Sequence, residues 1–66
     1  MQLVNHLKEH RLNAGLTQAA LAERIEVSRK TINTVENGIF IPSTILALRL
    51  AKVLSLKVED IFQLPD

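Results

Sequence analysis

Apolar positions recur at spacings of three and four along most of this chain, the period that gathers side chains on one face of a helix. Leu3, Leu7 and Ala14 mark a first helix over residues 2–14, with Gly15 as its expected C-cap. Thr17 stands where an N-cap belongs, ahead of a short alanine-rich helix over residues 18–25 whose inward face is Leu21, Ala22 and Ile25. After the brief break at residues 26–28, Ser28 caps a third helix over residues 29–36, and Asn37-Gly38 ends it. Thr31 occupies the N3 position in place of Glu or Gln, so the capping box there is incomplete. Pro42 forbids a helix through the loop Ile39-Phe40-Ile41-Pro42. Ser43 then caps a fourth helix running to about Ser55, with Leu46, Leu50, Ala51 and Leu54 inward. A short fifth helix covers about residues 58–62, and Pro65 closes the chain.

These elements predict an all-α fold, a compact five-helix bundle forming a single unit over residues 1–66. Two short helices about three residues apart cannot lie antiparallel, so residues 17–37 read as a helix-turn-helix.

Composition sharpens this picture. Aromatic residues are only 3% of the chain against 47% hydrophobic, which suits an aliphatic helical core and not a stacking platform for single-stranded nucleic acid. The chain has no cysteine, which excludes disulfides, thiolate metal sites and thiol nucleophiles, and points to a reducing, cytoplasmic setting. No secretory signal and no membrane-spanning run is expected. The net charge of +1 decides little; where the charges sit matters more.

The third helix carries the candidate chemistry. Ile32 and Val35 are three apart and mark its buried side. Arg29, Lys30, Asn33 and Thr34 occupy the other side, with no acid among them. Arg and Lys donate to guanine, Asn pairs with adenine through two hydrogen bonds, and the Thr methyl meets the thymine methyl. A solvated face without such a task usually mixes Glu with Lys. The starts of the second and third helices offer N–H groups suited to phosphate, so Thr17, Gln18, Ser28, Thr31 and Asn37 are the candidate phosphate contacts.

Taken together, these motifs resemble those of a known family. Leu16-Thr17-Gln18, Leu21-Ala22, Val27-Ser28-Arg29, Ile32, Glu36-Asn37-Gly38, Pro42-Ser43 and Glu59-Asp60-Ile61-Phe62 are similar to the helix-turn-helix domain of phage repressors and Xre-like bacterial regulators, especially their small stand-alone members. The resemblance implies a phosphate contact from Gln18 and base reading by Arg29, Lys30, Asn33 and Thr34. It also implies an ion pair between Arg11 and Glu36. It implies a two-fold homodimer on double-stranded DNA, joined through residues 56–66 with Ile61, Phe62, Gln63 and Leu64 at the contact. A short terminal β-ribbon, with residues near Gln2, would add to that contact. Four positions depart from the family pattern. Glu26 stands where the turn usually has Gly, Ile39 where a cation is common, His10 where an apolar residue is frequent and Ile45 where an acid is frequent.

The expected function is therefore a sequence-specific transcriptional regulator, a repressor by default, bound to a pseudo-palindromic operator. The alternatives are an antitoxin that regulates its own operon and a helical adaptor that never meets DNA. No catalytic constellation, cofactor or small-molecule substrate is expected. His6 and His10 have ligand spacing but lack a third ligand, so no metal is expected either. Ile39, Phe40, Ile41, Ile45 and Leu48 exceed what one small core needs; those that do not cover it form a candidate interface patch.

Overall fold

The computed structural model describes residues 3–66. The described elements run β1 (Val4–Asn5), α1 (Leu7–Asn13), α2 (Gln18–Arg24), α3 (Arg29–Glu36), α4 (Thr44–Leu54), α5 (Val58–Ile61) and β2 (Phe62–Gln63). Five helices surround one aliphatic core in which Leu7, Leu21, Ile32, Val35, Leu50 and Ile61 are fully buried. The two strands pair antiparallel, Val4 opposite Gln63 and Asn5 opposite Phe62, and tie the start of the described chain to its end. No described helix is long and apolar enough to cross a membrane.

The helix starts follow from their caps. The hydroxyls of Thr17, Ser28 and Ser43 accept from the N–H groups of Ala20, Thr31 and Leu46 at 3.0–3.1 Å. Each satisfies one of the donors a helix start leaves without an internal partner.

The helix ends share one geometry. After α1, α2, α3 and α4 comes a residue with positive φ: Gly15 at 74°, Glu26 at 60°, Gly38 at 73° and Ser55 at 57°. The following residue then bonds back over the last turn: Leu16 to Arg11, Val27 to Ala22, Ile39 to Thr34 and Leu56 to Ala51, at 2.9–3.1 Å. This is the Schellman closure, in which glycine is favoured because it has no Cβ to crowd the carbonyl. Two of the four positions are filled by residues that do crowd it.

The first helix departs from the expected span. It begins at Leu7, not at residue 2, because Val4–Asn5 is extended and paired with β2; Gln2 lies outside the described residues. Asn5 explains the boundary. Its Oδ1 accepts the Leu7 N–H at 2.9 Å, and its Nδ2 donates to the Val35 carbonyl near the end of α3. The His6 N–H bonds the Ile61 carbonyl at 2.8 Å. Long-range pairing thus overrides a weak apolar stripe. Ala14, expected inward, is exposed at the C-cap of α1. Ala47 joins the buried face of α4, and Leu54 is only half-buried.

Candidate nucleic-acid interface

α3 is held to the body by one face. Ile32 and Val35 have no exposed surface, and α2 packs against α3 more extensively than any other pair of elements. Helical periodicity then sends Arg29, Lys30 and Asn33 outward, where all three are exposed; Thr34, at the edge, is half-buried. Neither Arg29 nor Lys30 has a salt-bridge partner among the described residues. Thr34 turns its hydroxyl back onto the helix, donating to the Lys30 and Thr31 carbonyls at 3.0 Å. Asn33 accepts from the Asn37 amide at 3.1 Å through Oδ1, so its own Nδ2 donors face outward unpaired among the described residues. The four candidate base readers therefore lie along one short helix, three of them exposed away from its anchor and Thr34 half-buried at the edge of that face.

The candidate phosphate contacts divide. Thr17 and Ser28 cap α2 and α3, so they hold the two helix starts in place. Thr31 completes the α3 cap in its own way: its hydroxyl pairs with the Ser28 hydroxyl at 3.0 Å, where a capping box would bond the Ser28 backbone N–H. Asn37 buttresses Asn33. Gln18 donates to Glu36 Oε1 at 3.1 Å, and so belongs to an ion-pair network as well as to the start of α2.

That network is the most buried polar feature among the described residues. Arg11 Nε donates to Glu36 Oε2 at 2.6 Å and Nη2 to Oε1 at 3.2 Å, while Nη1 reaches the Leu16 carbonyl at 2.8 Å. The two side chains are 7% and 2% exposed. A forked guanidinium on a carboxylate, with each guanidinium nitrogen given a partner, is the arrangement that makes a buried pair tolerable. It fixes the end of α3 against α1 and against the start of α2.

Sequence reasoning missed Asn5, which joins the start of α1 to the end of α3. The signal was present: an Asn shortly before the first strongly apolar position is an N-cap cue. His10 is half-buried and reaches the Asp60 carbonyl at 3.0 Å, and His6 lies 3.7 Å from Glu9; the two histidines are used separately. Of the residues expected at a subunit contact, Ile61 is 0% and Phe62 7% exposed, closed inside the subunit's own core, while Gln63 and Leu64 are exposed.

A helix pair of this geometry, with caps at both starts and a polar outer face on the second helix, defines a helix-turn-helix protein. The chain belongs to the helix-turn-helix family, whose model matches residues 7–61. Among its relatives is YgzD of Bacillus subtilis, an HTH-type transcriptional regulator, 40% identical over 62 residues that cover 94% of each chain. An HTH-type transcriptional regulator of Methanothermobacter thermautotrophicus is 49% identical over 61 residues, 91% of this chain and 88% of that one. The solution structure of the SOS-response transcriptional repressor LexA from Eubacterium rectale superposes with a TM-score of 0.78 at 28% identity, covering 92% of this chain and 73% of that one.

Proposed function

We propose that the chain is a transcriptional repressor that binds a pseudo-palindromic operator in double-stranded DNA as a homodimer, each subunit laying α3 in the major groove. Residues 1–66 form one binding unit, with residues 17–37 as its DNA-reading core, and it works in the cytoplasm. The observation that carries this reading is the division of α3. Ile32 and Val35 are wholly buried, while Arg29, Lys30, Asn33 and Thr34 form an outward face with no acid. An eight-residue helix is about 12 Å long, and the major groove is about 12 Å wide.

In this reading Arg29 and Lys30 donate to guanine edges, Asn33 pairs with adenine and the Thr34 methyl meets a thymine methyl. Thr17, Gln18, Ser28, Thr31 and Asn37 lie at or beside phosphates, which set register and supply salt-dependent affinity. Occupying an operator excludes other proteins from the same bases, so repression needs no further device. The similarity to a chain described as a transcriptional repressor supports the same direction.

The test is selection of bound duplexes from a random pool, followed by two variants. Arg29→Ala should reduce discrimination at one base position by about 1–3 kcal/mol. Gln18→Ala should weaken selected and random duplexes alike. Equal loss on both kinds of duplex for Arg29→Ala would remove it from base reading.

A further inference from the structure

The run from Ile39 to Leu48 contains no charged residue, yet five of its large apolar side chains stand in solvent. Ile39 is 76% exposed, Phe40 47%, Ile41 68%, Ile45 66% and Leu48 56%. Scattered singly, such residues need no explanation. Here they adjoin. Phe40, Ile41 and Pro42 line a groove with Leu3. The same Leu3 and Pro42 line a second groove that continues to Leu48. Ile45 precedes Leu48 by one turn of α4, so the two share a side of that helix. Adjoining exposed apolar side chains of this kind mark an interaction surface rather than ordinary surface scatter.

We infer that this face is where two copies of the chain meet, the loop at residues 39–42 and the outer side of α4 packing about a two-fold axis on the same elements of a second copy. The inference rests on the homodimer reading above and relocates its contact. Ile61 and Phe62 face the subunit's own core and have almost no surface left to offer.

Three observations favour a second copy over any other occupant. First, a two-fold contact sets a surface against itself, which requires that like charges not meet there; this run has none. Second, the layout fits. A specific interface has an apolar centre inside a polar rim, and here Asn37 and Thr44 edge the two apolar grooves. Third, Phe40 also borders the cleft lined by Lys30, Thr31 and Thr34. An axis through this face therefore brings two α3 helices side by side on one side of the assembly. Symmetric half-sites require that placement.

The experiment measures molecular mass in solution from micromolar to millimolar chain. The unmodified chain should have the mass of two copies. The double variant Ile45→Glu, Leu48→Glu should raise the dissociation constant of the dimer by about 30-fold or more, with its helical circular dichroism retained because both positions are exposed. Ile41→Lys, in the loop and outside any helix, provides a second variant of the same face, and Leu64→Glu should leave the dimer intact. If the unmodified chain is a dimer and both face variants remain as tightly dimeric, this face is wrong while the homodimer stands. If the unmodified chain is a monomer throughout, the homodimer reading and this inference fall together.

Discussion

At the scale of single residues, the backbone at Glu26 and Ser55 is the clearest source of strain. Both sit at left-handed φ, 60° and 57°, closing α2 and α4 as Gly15 and Gly38 close α1 and α3. Left-handed backbone costs a residue with a Cβ about 1–2 kcal/mol. Glycine removes that cost but adds freedom to the unfolded chain, which offsets part of the gain. Glu26→Gly should therefore stabilise the fold by up to about 1 kcal/mol, or roughly 4–8 °C in melting temperature for a chain of this size. A thermal melt checks it: a lower midpoint would mean that the Glu26 side chain supplies more than its backbone costs. The sequence flagged this position, since the turn before a recognition helix usually carries Gly. It gave no such warning at Ser55, because a serine beyond a helix end reads as ordinary loop.

At the scale of elements, α3 is useful only if its end is held still. Arg11, Gln18 and Glu36 hold it, joining α1, the start of α2 and the last residue of α3. Removing one partner leaves the other's charge in the interior, which costs more than the pair contributes. Glu36→Ala should thus lose about 3–5 kcal/mol, a large share of what so short a chain possesses. Arg11→Met combined with Glu36→Leu should recover most of the loss, since no charge is then stranded. Chemical denaturation of the single and double variants checks this, and a Glu36→Ala variant as stable as the parent would show that Arg11 finds water instead. The spans of α2, α3 and α4 were legible because Thr17, Ser28 and Ser43 announce their starts and the apolar period sets their inner faces. The exposed polar side of α3 was legible for the same reason. The start of α1 was not. Its boundary depends on Asn5 meeting Val35 and on pairing with Phe62 and Gln63, and contacts between distant parts of the chain leave no local period. The burial of Ile61 and Phe62 was hidden likewise: an apolar pair at the end of a short helix reads equally well as core or as interface.

At the scale of the whole molecule, reading a pseudo-palindrome is a matter of distances. Two half-sites on one face of a duplex lie about 34 Å apart, so in the proposed dimer each α3 must stand about 17 Å from the axis that relates the copies. The described chain measures 32 × 22 × 20 Å, enough to span that distance within one subunit. In the proposed dimer the interface acts as a ruler, and its rigidity sets the half-site spacing that the dimer selects. Inserting about five base pairs, half a helical turn, between selected half-sites turns the second one to the far side of the duplex. The dimer can then engage only one half-site, and affinity should fall to that of a duplex carrying a single half-site. Titration of the three duplexes at one salt concentration checks this, salt being fixed because phosphate contacts make every affinity depend on it. Undiminished binding to the half-turn insertion would mean that the two copies of α3 are not held at a fixed separation. The contact through Phe40, Ile41, Ile45 and Leu48 would then be too loose to measure distance along DNA.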